Sequence, residues 1–218
     1  MGGAKVTSPS FLEAANYFRR RLFLFAPNVC NARCDFCYVA PFFAQRAHLP
    51  VPTLVRIRKM LRTLTDIGFR EIRITGGEPL LLDNLDAVVE ALTLRGLSYT
   101  ILTNGQQLSH WHDLFVDTPP SKVTISIHSS VSPERVFGVD WDVTEILDEV
   151  SRLSNKIEFV ASVVVVPSVI GGLTNTIDSL IDAGVGELKL IRPNVATDEG
   201  EEVFLSVVEI AQRHARAR

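Results

Sequence analysis

The sequence predicts an α/β fold built on a parallel six-stranded sheet, for which a curved, partial (β/α)6 barrel is one of two possible architectures. Two observations indicate it: strand-length apolar segments alternate six times with amphipathic helical segments, and polar or glycine-containing motifs follow the predicted strands. Such alternation forms parallel sheets through right-handed crossovers. A flat, doubly wound sheet fits the same alternation and stays open as the alternative. In both folds the functional site lies at the carboxyl ends of the strands.

The predicted strands are short apolar or alternating runs bounded by turn residues. They are residues 21–27, 71–75, 98–104, 122–128, 156–166 and 187–191. In the second and fourth strands, isoleucine and valine alternate with polar residues such as Arg73 and Thr124. Because successive side chains point to opposite faces, one face should pack against helices and the other should be a polar inner face that holds a polar ligand.

The predicted helices are segments in which apolar residues recur every three or four positions. They are residues 53–68, 84–96, 108–116, 143–153, 173–184 and 201–215. Thr53 can cap the first helix and Gly68 can end it. A chain of 218 residues suffices for one core, so we expect a single domain over 21–218 with an N-terminal extension at 1–20.

Composition limits the classes of binding partner and the cellular location that we expect for this protein. The net charge is −3 and the pI about 6.0, which argues against nucleic acid or an anionic membrane as partner. No apolar run is long enough to span a bilayer, and residues 1–10 do not resemble a signal peptide. These features predict a cytoplasmic protein.

All three cysteines lie within "CNARCDFC" (30–37), with the spacing C-x3-C-x2-C. In the cytoplasm such a cluster is typical of a metal or catalytic site rather than of disulfides. Three thiolates suit zinc or an iron–sulfur cluster. Structural zinc needs a fourth ligand, which His48 could supply. A [4Fe–4S] cluster with three protein ligands leaves one iron open to a small molecule.

Four motifs together resemble the radical S-adenosylmethionine (radical SAM) superfamily. They are "CNARCDFC", "GGEP" (76–79), "TNG" (103–105) and "SIH" (126–128), each at a predicted strand end, and the resemblance covers residues 21–193. The stretch "GFREIRITGGEPLL" (68–81) is especially similar to the molybdopterin-precursor cyclase group. Zinc explains only the first motif, so the set favours the iron–sulfur interpretation.

The resemblance implies a six-stranded partial barrel and the chemistry of its site. Cys30, Cys34 and Cys37 would be the metal ligands and the catalytic centre of a [4Fe–4S] cluster, and S-adenosylmethionine would chelate the fourth iron. An external electron donor such as flavodoxin or ferredoxin would reduce the cluster. Cleavage of S-adenosylmethionine would then give a 5′-deoxyadenosyl radical that abstracts hydrogen from the substrate.

The resemblance also places residues near S-adenosylmethionine, each with a simpler structural alternative. Glu78 would accept hydrogen bonds from the methionine ammonium, Ser126 matches the ribose-binding position, and Arg192 is available for an anionic group. Tight turns, turn caps, aromatic packing and, for Glu78, a solvated loop carboxylate are the simpler explanations. The implied cofactor-binding residues are Phe36, Tyr38, Gly76, Gly77, Glu78, Pro79, Asn104, Ser126, His128, Ile191 and Arg192.

The leading hypothesis is a radical SAM enzyme acting on a small polar metabolite, nucleoside or sugar, which it rearranges, epimerises, decarboxylates or couples. A peptide-modifying enzyme is the alternative within the family, and a non-catalytic iron–sulfur or zinc partner protein is the alternative outside it. With no cysteine after Cys37, we expect no auxiliary cluster and do not carry over the cyclase reaction. Residues 1–20, a homodimer partner or a large substrate would have to close the barrel.

Overall fold

Six parallel strands form one sheet in the computed structural model. The model describes residues 21–25, 29–37, 39–40, 53–139, 141–192, 204, 207–209 and 211–212. The strands are β1 (Arg21–Phe25), β2 (Glu71–Thr75), β3 (Ser98–Thr103), β4 (Lys122–Ser126), β5 (Phe159–Val164) and β6 (Glu187–Ile191). Each strand pairs in parallel with the next one along the chain, so the order is β1-β2-β3-β4-β5-β6.

This sequential order decides between the two predicted architectures. A doubly wound sheet reverses its strand order near the middle, whereas here every crossover steps in the same direction. Right-handed crossovers that all step one way place their helices on one face, and the sheet curves with that face outside. The partial barrel is therefore confirmed, and the flat alternative is wrong.

Five of the described helices lie between the strands where the periodicity predicts them, and two four-residue helices, at 134–137 and 167–170, were not predicted. The described helices between the strands are α1 (Leu54–Asp66), α2 (Leu85–Thr93), α3 (His112–Asp117), α4 (Glu134–Phe137), α5 (Val143–Leu153), α6 (Pro167–Ile170) and α7 (Leu173–Asp182). Single 3-10 turns cover Pro79–Leu81 and Ser109–Trp111. Residues 204, 207–209 and 211–212 are also helical, within the segment predicted as the last helix.

The ends of α1 follow the sequence signals. The Thr53 side chain accepts a hydrogen bond from the Arg56 amide and caps the helix. After Asp66 the chain turns through Gly68, whose φ of 96° suits a residue without Cβ.

The main core lies between the outer face of the sheet and the helices. In β2 and β4 the isoleucine and valine side chains are buried, whereas the alternate polar side chains are only partly buried. On β6 the alternate residues Glu187, Lys189 and Ile191 are exposed. The predicted polar inner face is therefore present on these strands.

Some boundaries differ from the prediction. β4 ends at Ser126 rather than His128, because the Val164 amide of β5 donates to Nδ1 of the His128 side chain, 3.1 Å away. β5 ends at Val164 because Pro167 begins the short helix α6.

The extension predicted at 1–20 lies outside the described residues. Among the helices that the structure describes, none has both the length and the apolar character needed to cross a membrane.

Candidate functional site

The cysteine loop, residues 29–37, follows β1 at the carboxyl edge of the sheet. Cys30 is exposed, and Cys34 and Cys37 are partly exposed. Within the cysteine loop, two backbone amides have hydrogen-bond partners in the loop itself. The Cys37 amide donates to the Cys34 carbonyl at 3.1 Å, and the Ala32 amide donates to the Cys30 sulfur at 3.4 Å. The shape of the loop therefore depends on contacts with other loops of this edge.

The first of these contacts joins the cysteine loop to the glycine-rich turn after β2. The Glu78 amide donates to the Val29 carbonyl at 2.8 Å. A Cβ on Gly77 would lie 1.9 Å from that carbonyl oxygen, so only glycine fits there. Gly76 has a φ of 149°, which also favours glycine. We expected these glycines to admit a ligand, and the structure adds that Gly77 admits the backbone of the cysteine loop.

The second contact is a chain of amide side chains between the cysteine loop and the loop after β3. Asn104 Nδ2 donates to Asn31 Oδ1 at 2.8 Å and lies 4.0 Å from the Cys30 sulfur. Asn31 in turn donates through Nδ2 to Gln106 Oε1. The side chain of Asn104 therefore bridges two loops, which is more than the turn cap that the sequence suggested.

The third contact comes from the segment that follows β4. The Arg33 amide donates to the Phe137 carbonyl at 2.7 Å, at the end of α4. Gly138 follows with φ 67°, and a Cβ on it would lie 2.9 Å from the Arg33 carbonyl oxygen. Three loops from different strand ends thus each bind one residue of the cysteine loop. These residues are Val29, just before Cys30, and Asn31 and Arg33, between Cys30 and Cys34.

Glu78 is the most buried acidic residue of this edge, with 1% of its surface exposed. Its Oε1 accepts from the Leu80 amide at 2.9 Å and from the Thr103 hydroxyl at 2.5 Å, and its Oε2 accepts from the Asn104 amide at 2.8 Å. Burial raises its pKa to about 7, although these hydrogen bonds favour the carboxylate and oppose the rise. The solvated loop carboxylate that we kept as an alternative is therefore wrong.

His128 sits in an aromatic stack beside the cysteine loop. Its ring stacks on Phe137 with centroids 5.0 Å apart, and the edge of Phe36 packs against it at 5.1 Å. Burial lowers the pKa of His128 to about 4, partly opposed by a hydrogen bond to the Ser162 backbone. The ring is therefore neutral, and because Nδ1 accepts from Val164, its proton lies on Nε2.

The other predicted residues occupy the same edge at different depths. Pro79 is buried and begins a 3-10 turn for which Glu78 is the cap. Ser126 is partly buried at the end of β4, directly opposite Ser162 of β5. Ile191 and Arg192 are exposed at the end of β6. Tyr38 and His48 lie outside the described residues.

The chemistry of the thiols fits a metal-bound group. Burial, together with the smaller effect of the charges of Cys30 and Cys37, raises the pKa of Cys34 to about 12. Cys30 is exposed as a residue, but partial desolvation of its thiol still raises its pKa, and a hydrogen bond from the Ala32 amide opposes the rise. Thiols that raise each other's pKa need a cation to become thiolates together, since bound metal deprotonates a coordinating thiol outright.

Zinc is the alternative occupant of this loop. In the described part of the chain, no three His, Cys, Asp or Glu side chains are arranged to hold one metal ion. Zinc needs four ligands that converge at about 2.0–2.3 Å on one point. The thiolates of an iron–sulfur cluster bind separate irons and do not have to converge. The described residues therefore do not form a single-ion site by themselves, and His48, the fourth zinc ligand considered from the sequence, lies outside them.

The sequence analysis missed the residues that support the cysteine loop. Asn31 and Arg33 were read as spacers, and Phe137 and Gly138 were not singled out. Their partners are far away in sequence, for example 75 positions between Asn31 and Gln106. The only local signal was the side-chain amide of Asn104, which we predicted to contact the cofactor or to cap its turn.

Comparison with known proteins places these features in a family. The family model "Radical SAM superfamily" matches residues 25–175. GTP 3′,8-cyclase of Alkaliphilus oremlandii (strain OhILAs) is 26% identical over 205 residues, which are 85% of this chain and 61% of that protein. This agrees with the motif-level resemblance to the cyclase group.

Solved structures agree in fold. Streptococcus suis SuiB bound to S-adenosylmethionine has a TM-score of 0.71 at 17% identity, covering 89% of this chain and 48% of that one. SuiB bound to its precursor peptide SuiA gives 0.70 at 17% identity, covering 92% and 49%. The chain thus spans less than two thirds of the length of these relatives.

Proposed function

This chain belongs to the radical SAM superfamily, and we propose on that basis that it is an enzyme that uses an iron–sulfur cluster and S-adenosylmethionine to abstract hydrogen from a substrate. The observation that carries the proposal is the cysteine loop, fixed at Val29, Asn31 and Arg33 by three loops of one sheet edge. A loop held in this way keeps three sulfurs in place for a cofactor.

We infer a [4Fe–4S] cluster held by Cys30, Cys34 and Cys37. Three protein ligands leave one corner for the amino and carboxylate groups of S-adenosylmethionine. When bound, the reduced cluster supplies the electron that splits S-adenosylmethionine into methionine and a 5′-deoxyadenosyl radical. Because Cys30 is exposed, an external donor such as flavodoxin or ferredoxin can approach this side of the loop.

Glu78 is suited to the methionine ammonium. Its Oε1 already accepts two hydrogen bonds, but Oε2 accepts one from protein and has capacity for another. An ammonium beside this buried carboxylate would favour its charged form and lower its pKa from about 7. Binding at neutral pH should therefore release a fraction of a proton from Glu78.

Residues of β4 to β6 suit the nucleoside end of the ligand. Ser126 offers a hydroxyl for the ribose, and the neutral His128 ring, whose Nδ1 accepts from the Val164 amide, lies buried two residues beyond it. Ile191 and Arg192 offer backbone groups for adenine, and the exposed Arg192 side chain suits an anionic group. Positioning of this kind matters because a primary radical reacts with almost any nearby C–H bond and has to be kept from water and from the protein.

The polar inner face of the sheet favours a small polar substrate. Glu187 and Lys189 of β6 are exposed there, and Thr124 and Ser126 of β4 are partly buried. Metabolites, nucleosides and sugars have this character. A peptide is the second candidate, since SuiB, which shares the fold, is bound to a precursor peptide, but that likeness at 17% identity concerns the fold.

Anaerobic reconstitution tests the proposal. The wild-type chain should take up iron and sulfide, turn brown, and release 5′-deoxyadenosine when reduced with S-adenosylmethionine present. Cys34→Ala should lose the colour and lower 5′-deoxyadenosine release at least about a hundredfold. Asp35→Asn, at an exposed neighbour in the same loop, is the matched control and should retain both. Cleavage that persists in Cys34→Ala, or a wild-type chain that binds one zinc ion and no sulfide, would refute the proposal.

A further inference from the structure

We propose that the side-chain amide of Asn104 is a positioning residue for the cluster: it holds the cysteine loop through Asn31 and donates an N–H···S hydrogen bond to Cys30 that raises the reduction potential of the bound cluster. The inference rests on the proposed function, because it assumes that a cluster is bound. It concerns a contact between Asn104 and a ligand sulfur, which is distinct from contacts with S-adenosylmethionine.

The orientation of Asn104 is fixed from both sides. Its backbone amide donates to Glu78 Oε2 at 2.8 Å, and its side-chain Oδ1 accepts from the Gln106 amide at 3.0 Å. The residue is 7% exposed. Because Oδ1 has to face the Gln106 N–H, the NH2 group points the other way, toward the cysteine loop.

The two hydrogens of that NH2 group have two acceptors within reach. Nδ2 lies 2.8 Å from Asn31 Oδ1 and 4.0 Å from the Cys30 sulfur. One N–H therefore ties the loop to the end of β3, and the other faces the sulfur at a length suited to a weak N–H···S bond. Cys30 is the only cysteine for which the described residues show a side-chain donor of this kind.

The sulfur contact has a predictable electronic effect. A reduced cluster carries one more negative charge, part of it on the ligand sulfurs, so a hydrogen bond to a sulfur stabilises the reduced form more than the oxidised form. Removing the donor should lower the reduction potential. The tie to Asn31 has no such effect, since it acts on loop geometry alone, and the two roles can be separated by substitution.

Three variants of the reconstituted protein separate the two roles. Asn104→Ala removes both bonds, whereas Asn31→Ala removes the loop tie and leaves the donor facing Cys30. At one fixed solution potential, followed by EPR without S-adenosylmethionine, the ratio of reduced to oxidised cluster should fall at least about threefold in Asn104→Ala. The same ratio should stay within about twofold of wild type in Asn31→Ala. Asn104→Asp keeps the shape and the acceptor for Gln106 but lacks the donor, and it should fall at least as far as Asn104→Ala.

The positioning role has its own readout in the cluster-free chain. Hydrogen exchange of the backbone amides at 30–37 should quicken about tenfold in both Asn104→Ala and Asn31→Ala, because both lose the tie. An unchanged ratio in Asn104→Ala and Asn104→Asp, or an equal fall in Asn31→Ala, would overturn the sulfur contact. Unchanged exchange in both alanine variants would overturn the tie. A wild-type chain that binds no cluster would instead refute the proposed function.

Discussion

Substituting Gly77 by alanine is the sharpest test of how the site is held together. The added Cβ would lie 1.9 Å from the Val29 carbonyl oxygen and 2.5 Å from its carbon. Both neighbours are backbone atoms, so no flexible side chain can yield, and the two loops must separate by about 1 Å or more. That movement breaks the 2.8 Å hydrogen bond from the Glu78 amide to Val29. Strain and an unpaired amide together should cost about 2–4 kcal/mol of unfolding free energy.

Gly171→Ala is the matched control for this substitution. Gly171 has a φ of −62° and no atom within 4 Å of the position that its Cβ would take. Alanine there should be neutral or stabilise by up to about 1 kcal/mol. Urea unfolding of the cluster-free chains measures both changes, and iron content after reconstitution should fall only in Gly77→Ala. The reasoning is refuted if Gly77→Ala unfolds within about 0.5 kcal/mol of wild type, or if Gly171→Ala is equally destabilising.

Two further predictions concern buried ionisable groups. The pKa of folded His128 is about 4, below its unfolded value, so its stabilising contribution is present above about pH 6.5 and is lost as the pH falls toward 4. Relative to His128→Phe, the wild type should lose about 2 kcal/mol of stability between pH 7.5 and pH 5 in urea titrations. Glu78, with its raised pKa, changes stability in the opposite direction over this range, but both proteins contain it and its effect cancels between them. If the difference in unfolding free energy between wild type and His128→Phe stays constant from pH 7.5 to pH 5, the lowered pKa of His128 is contradicted. Glu149 is 2% exposed and accepts from Arg152 at 3.1 Å and contacts His112. Glu149→Ala should therefore cost about 1–3 kcal/mol in thermal unfolding, whereas its exposed neighbour Asp148→Ala should cost under about 0.5 kcal/mol, and equal effects would show that burial is not the cause.

Periodicity and turn chemistry predicted most of the fold. The alternation in β2 and β4 fixed which side chains face the helices, and Thr53 marked the start of α1. Strand order could not be read from the alternation, because a doubly wound sheet uses the same elements. The end of β4 was misjudged because the His128 side chain, rather than the backbone, accepts from Val164. Local sequence cannot show that a side-chain ring nitrogen will accept the hydrogen bond that a backbone carbonyl usually accepts in a sheet.

For the candidate site, the sequence predicted which residues gather but not how they hold each other. Glu78 was expected to face a ligand, and its three protein donors were not foreseen. Gly77 was expected to be glycine for the sake of a ligand, whereas its immediate neighbour is the Val29 carbonyl. Such contacts join loops whose separation along the chain is dozens of residues. Motif spacing carries no information about them.

The way Val29, Asn31 and Arg33 are held has a consequence for the order of assembly. A short synthetic peptide of residues 29–37 would lack each of these partners, because they belong to the segments that follow β2, β3 and β4. The contacts that hold the cysteine loop in its folded arrangement therefore form only after those three strands have come together. Insertion of the iron–sulfur cluster would then be a late step of assembly, completed only by chains whose tertiary structure is already formed.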